Sequence, residues 1–294
     1  MSARFGPVVT AMVTPFRDDS SLDLDGAQQL ARYLLEHGSD ALVVAGSTGE
    51  SPTLTHLEKA DLFRAVVEAS EGSGKVICGT GTYSTQETLE LTEAAERAGA
   101  DGLLIVTPYY NKPPQRGIVA HFQRVAAATE LPILAYNIPG RTATRIEHPT
   151  LLTLAEIPNV VGVKDATGDF DGLSRLIVEA PADFEVYSGD DATMFLAMSL
   201  GAVGVVSVAA HVVGSRLRQM AELLATGDMP AARKVHQELS PLFAALFITS
   251  NPIPVKTALE LLGRSAGPTR LPLVPPTSEE RETIRRALED AGLV

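Results

Sequence analysis

The stretch Pro158-Asn-Val-Val-Gly-Val-Lys-Asp-Ala-Thr-Gly168 decides how the chain is read. Val160, Val161 and Val163 form a short β-branched run, the pattern of a strand buried on both faces. Lys164 ends the run, and Asp165-Ala-Thr-Gly168 follows as turn chemistry. Lysine is rarely buried unless its charge is paired or lost. The chain has six lysines, and the other five read differently: Lys59, Lys234 and Lys256 fall in helical patterns, Lys75 and Lys112 in Gly- or Pro-rich loops. A lysine placed like Lys164 snorkels to solvent, pairs with Asp165, or loses its proton in a desolvated site. In the last case its neutral amine is a nucleophile for carbonyl carbon.

Seven more apolar runs share the pattern, at 8–13, 41–45, 76–78, 102–106, 132–136, 184–187 and 203–208. Amphipathic helical segments lie between them. Thr55-His-Leu-Glu58 and Ser84-Thr-Gln-Glu87 read as capping boxes at helix starts. Phe63, Val66 and Val67 form one apolar face, and Leu91, Ala94, Ala95 and Ala98 another. A weak repeat, His37-Gly-Ser-Asp-Ala-Leu, Ala98-Gly-Ala-Asp-Gly-Leu and Leu200-Gly-Ala-Val-Gly-Val, marks helix C-caps feeding buried strands. Eight strand-then-helix units predict a (β/α)8 TIM barrel; a doubly wound open sheet has the same local pattern. Helical segments follow at 215–226, 230–247 and 252–262. A proline-rich connector, 268–276, then leads to a last helix opened by Thr277-Ser-Glu-Glu280. The division expected is a barrel over 1–227 and a C-terminal helical extension over 228–294.

A net charge of −12 argues against nucleic acid or an anionic membrane surface as partner. Anionic ligands would have to rely on a few local cations. The N-terminus, Met1-Ser-Ala-Arg-Phe-Gly-Pro7, lacks the apolar core of a signal peptide. The most apolar stretch, 202–213, is too short to span a bilayer. The single cysteine, Cys78, fits a reducing cytoplasm and reads as a buried thiol.

In a barrel of this class, chemistry lies at the carboxyl ends of the strands. Those ends carry Gly46-Ser-Thr-Gly-Glu-Ser51, Thr107-Pro-Tyr-Tyr-Asn111, Tyr136-Asn-Ile-Pro-Gly-Arg-Thr142, Lys164 and Ser188-Gly-Asp-Asp191. Each has a bland alternative: a plain loop, packed tyrosine rings, an Arg141–Glu147 pair, a helix cap. Together they suit imine chemistry. Thr48 and backbone N–H groups could hold a keto acid's carboxylate, a tyrosine hydroxyl could carry protons, and the Arg141 fork matches a second carboxylate. His211 is the one histidine near a strand end and has no partner at ligand spacing, so no metal site is expected.

These residues resemble the dihydrodipicolinate synthase and N-acetylneuraminate lyase superfamily of class I aldolases, and the likeness covers essentially the whole chain. It runs from Gly6-Pro-Val-Val-Thr-Ala-Met-Val-Thr-Pro-Phe16 to the C-terminal helix. Tyr136–Thr142, Gly162-Val-Lys-Asp-Ala-Thr-Gly168 and Asn251-Pro-Ile-Pro-Val-Lys256 look like the synthase branch. The resemblance implies a Schiff base between Lys164 and pyruvate, with protons shuttled by Tyr136 through Ser47 and Tyr110. It implies that Thr48 holds the pyruvate carboxylate and Arg141 that of aspartate semialdehyde, with Gly189 and Val206 lining the pyruvate pocket. The product would be 4-hydroxy-tetrahydrodipicolinate, on the diaminopimelate route to lysine. No cofactor beyond the covalent imine is implied. The family's Tyr110 equivalent crosses a dimer interface, and the usual assembly is a homotetramer, a dimer of dimers.

The synthases usually carry threonine where Ser47 stands, while the lyases lack Arg141; the hydroxyl is kept in either case. A lysine-feedback pattern known in some members is matched at Ser51, His56, Glu87 and Tyr109 but not at Lys59 and Tyr83. The expectation is that lysine acts weakly or not at all. The alternatives are a related pyruvate-dependent aldolase or lyase for a sugar acid or other keto acid, and a catalytically silent barrel that binds a keto acid as a sensor.

Overall fold

The apolar runs become the strands β1 Val8–Ala11, β2 Ala41–Val44, β3 Lys75–Gly79, β4 Gly102–Val106, β5 Ile133–Asn137, β6 Val160–Asp165, β7 Glu185–Ser188 and β8 Gly204–Ser207. In this computed structural model, which describes residues 3–294, each pairs in parallel with the next. Met1 and Ser2, part of the N-terminus read above as lacking a signal peptide, lie outside the described residues. The sheet closes where β1 meets β8, with Val9 opposite Val206. The expected (β/α)8 barrel forms, and the open sheet is excluded.

Helices α1 Leu24–Glu36, α2 His56–Ser70, α3 Thr85–Ala98, α4 Gln115–Ala126, α5 Pro139–Thr142, α6 His148–Ala155, α7 Phe170–Glu179, α8 Met194–Ser199 and α9 Ala210–Ala225 accompany the strands. The C-terminal extension adds α10 Met229–Ala245, α11 Ile253–Leu261 and α12 Ser278–Asp290. Among the described residues no helix is long and apolar enough to cross a membrane.

Side chains alternate across each strand, so the barrel sorts its apolar residues into two sets. Val9, Val43, Ile77, Leu104, Leu134, Tyr136, Tyr187 and Val206 fill the interior. The larger set lies outside the strands and runs without a break to Leu242 of α10 and Leu288 of α12. The extension therefore shares the barrel's outer core.

One expected cap is only half formed. Thr55 and Thr277 make complete capping boxes with Glu58 and Glu280. Ser84 accepts from the Glu87 N–H, but its own N–H already donates to Thr82 Oγ1 at 3.0 Å. The Glu87 carboxylate is thus released from the helix start for another role.

His211 is fully buried at the closing seam. Its Nε2 accepts from Val13 N–H at 3.1 Å, and its Nδ1 faces Val208 O at 2.8 Å. A ring that accepts on one nitrogen and donates on the other is neutral. Burial lowers its pKa from 6.5 to about 4. Because the folded value lies below the unfolded one, the contribution to stability is complete above 6.5 and lost as pH falls towards 4. The urea midpoint should accordingly drop from pH 7 to pH 5, with a slope from this group of up to about 1.4 kcal/mol per pH unit. His211→Gln should remove that portion of the slope. An unchanged slope in the variant would assign the acid sensitivity elsewhere.

Candidate active site

Parallel register places Tyr136 of β5 opposite Lys164 of β6, and Lys164 opposite Tyr187 of β7. All three side chains occupy the barrel interior at one level, as the period of two requires. The Lys164 Nζ lies 4.2 Å from the centroid of the Tyr136 ring. Gly189 keeps the space beside it open: a Cβ there would fall 3.2 Å from Lys164 Cε and 2.8 Å from the Ala166 Cβ.

Lys164 is not singular in being buried, contrary to the reading of the sequence, because Lys59 and Lys256 are as deeply enclosed. Of the other two, only Lys256 has a carboxylate within 4.0 Å among the described residues. Lys256 pairs with Glu50 at 2.8 Å, and burial lowers the Lys59 pKa against the opposing pull of Glu87. Lys164 has no carboxylate within 4.0 Å among the described residues; Asp165 turns instead to the Thr167 hydroxyl and N–H, at 2.7 and 3.1 Å. Lys164 differs from Lys256 in lacking a counter-ion, and from Lys59 in standing inside the barrel against the Tyr136 ring.

A cavity of about 220 Å³ opens at the carboxyl ends of β2 to β5, lined by Ser47, Ser51, Tyr109, Tyr136, Ile138 and Arg141 among others. Ser47, Tyr136 and Arg141 are thus brought together as expected. Arg141, on α5, does not pair with Glu147; its Nη2 donates to the Asn251 carbonyl at 3.4 Å. Thr48 is buried beside the cavity and accepts from Asn251 Nδ2 at 2.9 Å. Val206 belongs to the interior set that also holds Tyr136.

Tyr110 stands apart, 91% exposed in the single chain and outside the cavity lining. Its φ of +67° is an outlier for a bulky side chain. Among the described residues six non-glycine residues have positive φ, and five of them (Ala45, Glu50, Tyr110, Lys112 and Ala143) lie in loops following β2, β4 and β5. Backbone strain of this kind gathers at functional sites.

The loop after β7 does the capping foreseen for it. Asp190 caps the 3-10 turn Asp191–Thr193. Asp191, fully buried, accepts from the Ser207 hydroxyl and from Val208 and Ala209 N–H at 3.0 and 2.9 Å. Burial pushes its pKa up, and those three bonds oppose the shift.

Of the residues matching the feedback pattern, Ser51 and Tyr109 line the cavity mouth. His56 is directed to Glu90, 3.8 Å away, and not to Glu87. Tyr109 packs edge-on against Tyr83, with centroids 5.4 Å apart. Desolvation, then Tyr83 and Glu87, push the Tyr109 pKa up.

Sequence reasoning assigned no role to Glu50, Asn251, Lys256 or Arg270. Lys256 Nζ reaches both Glu50 Oε1 and Pro268 O, each at 2.8 Å, and the Arg270 N–H donates to Glu50 Oε2 at 2.9 Å. The only signal available was the Asn251–Lys256 motif, whose partners lie about two hundred positions earlier in the chain.

Fold and site define a (β/α)8-barrel protein with a pocket at the carboxyl ends of its strands and an interior lysine packed on Tyr136 of the pocket's lining. The chain belongs to the Dihydrodipicolinate synthetase family, whose sequence model matches residues 4–291. It is 54% identical to the 4-hydroxy-tetrahydrodipicolinate synthase of Moorella thermoacetica over 99% of this chain and 100% of that protein. A lysine-bound dihydrodipicolinate synthase from Cyanidioschyzon merolae superposes with a TM-score of 0.98 at 45% identity, covering all of both chains. A chloride-inhibited synthase from Acinetobacter baumannii, complexed with pyruvate, gives 0.96 at 40%, covering 99% of this chain and 100% of that one.

Proposed function

We propose that the chain is a lyase of lysine biosynthesis that condenses pyruvate with L-aspartate 4-semialdehyde through an imine on Lys164, giving 4-hydroxy-tetrahydrodipicolinate and water. The observation that carries this reading is an interior lysine without a counter-ion, packed on Tyr136, which lines a cavity that also presents Ser47 and Arg141.

The neutral Lys164 amine attacks the keto carbon of pyruvate, and the carbinolamine loses the one water of the overall reaction. Loss of a methyl proton gives an enamine, because the protonated imine accepts the electron pair. The enamine carbon bonds to the aldehyde carbon of the second substrate. The amino group of that substrate then attacks the imine carbon, closing the ring and releasing Lys164. No cofactor is required, since the imine itself is the electron sink.

Tyr136 lies against Lys164 and carries the protons, passing them to Ser47. Tyr110 extends the relay into a neighbouring subunit. An exposed tyrosine on strained backbone suits a site completed across a homodimer, and two such dimers make the tetramer. Thr48 holds the pyruvate carboxylate and Arg141 that of the semialdehyde, while Gly189 and Val206 bound the pyruvate pocket. The small metabolic substrates and the single buried thiol, Cys78, fit a cytoplasmic enzyme.

Borohydride reduction with pyruvate, followed by peptide mass spectrometry, should place the adduct on Lys164 alone. Labelling of Lys59 or Lys256 instead would overturn the assignment. Lys164→Arg should lose nearly all turnover, since a guanidinium stays protonated.

Arg141→Ala should weaken use of aspartate semialdehyde by roughly 10- to 150-fold while barely affecting imine formation with pyruvate. Equal loss in both steps would make Arg141 structural. Faster cleavage of N-acetylneuraminate than condensation of the semialdehyde, in the unmodified protein, would defeat the synthase reading.

Lysine should inhibit weakly, with half-inhibition above about 1 mM. The Lys59 ammonium is buried beside Glu87 and already supplies the positive charge that an effector's ammonium would bring. Titration of lysine into a rate assay tests this, and submillimolar inhibition would show that the two sites are separate.

A further inference from the structure

We propose that Asn251, in the turn leading into α11, is a positioning residue that sets the polarity of the Thr48 hydroxyl and so the grip on the keto acid's carboxylate. The inference rests on the reading that Thr48 binds that carboxylate.

Asn251 is buried, and its Nδ2 donates to Thr48 Oγ1 across 203 positions of sequence. A hydroxyl that accepts from an amide keeps its own hydrogen for another acceptor. A carboxylate is an acceptor only, so Thr48 serves it only with that hydrogen free. With the amide turned over, Thr48 would donate to Oδ1 and present lone pairs to the anion. The orientation found leaves Asn251 Oδ1 buried and without a partner among the described residues. Buried orphans are few in folded proteins and call for a reason. Here the reason is the donor that Nδ2 supplies to Thr48.

Both sides of this contact are braced. Two residues beyond Thr48, Glu50 is held by Lys256 and by the Arg270 N–H, and between them the Gly49 carbonyl accepts from Thr14 Oγ1 at 2.6 Å. On the other side Lys256 lies one helical turn into α11, and its N–H donates to Pro252 O at 3.1 Å. The Asn251 carbonyl also receives Arg141 Nη2. One residue of the C-terminal extension therefore touches both side chains assigned to substrate carboxylates.

The experiment is the pyruvate concentration for half-maximal borohydride trapping at Lys164, which needs no aldehyde. Asn251→Asp keeps the shape but can only accept, so half-saturation should rise at least roughly tenfold. Asn251→Ala should raise it roughly three- to tenfold, with the maximal extent of trapping unchanged. In a Thr48→Val background, adding Asn251→Ala should change half-saturation by less than about twofold, because the two residues act as one unit. If Thr48→Val alone has no effect, the reading of Thr48 fails and takes the proposal with it. If Thr48→Val has an effect but neither Asn251 variant does, or if the effects multiply in the double variant, the proposal is overturned while Thr48 keeps its role. Thermal unfolding of each variant identifies those that fold, and Asn251→Asp or Asn251→Ala alone suffices to decide.

Discussion

Closure of the barrel is the constraint on which the rest of the molecule depends. Once β8 pairs with β1, no strand can slip without shifting all the others. Every second residue is then committed to an interior too narrow for anything but side chains. Gly162 illustrates how little room there is: a Cβ there would lie 2.2 Å from the Glu185 carbonyl oxygen. Two positions further along the same face comes Lys164, and the register sets it between Tyr136 and Tyr187. The central pair of the site is thus a consequence of sheet geometry, with loops only completing it.

Three buried lysines are accommodated in three different ways. Lys256 is almost wholly enclosed with Glu50, and removing one partner of such a pair typically costs about 3–5 kcal/mol. Lys59 is desolvated and only partly compensated by Glu87, a carboxylate free because its capping box is incomplete. Lys164 has aromatic neighbours in place of an anion. A counter-ion would hold the ammonium form, which has no lone pair to attack a carbonyl. The same fold therefore gives its three buried lysines three different surroundings.

The C-terminal extension is more than a cover for the barrel's outer core. The guanidinium of Arg270 and the ammonium of Lys256 lie over the Phe16 ring, 4.2 and 4.4 Å from its centroid. Arg270 also grips Glu58 at the start of α2 and holds its carboxyl down at about 2. These contacts fasten the extension to the loop after β1 and to the segment that follows β2. That segment carries Ser47 and Thr48, so the stiffness of the pocket depends partly on residues beyond the eighth barrel unit. Strained backbone at Ala45 and Glu50 persists because the surroundings over-determine it.

Much of this could be read along the chain, because the relevant forces are local or periodic. Eight apolar runs, with capping signals between them, determined the strands to within a residue or two. Turn chemistry after those strands singled out Ser47, Tyr136, Arg141 and Lys164, and three of them meet as expected at the cavity. Pairing between distant charges left no such mark. Nothing near Lys59 or Lys256 in sequence announces burial, since helical periodicity marks a face without saying what will cover it. His56 and Glu87 sit at starts of adjacent helices, yet α2 and α3 pack so that His56 meets Glu90. Asn251 reaches Thr48 only because α11 returns to the mouth of the barrel. Local patterning determined which elements form and where chemistry clusters. Tertiary packing alone decided which charges are paired, which are left alone, and which distant residues meet.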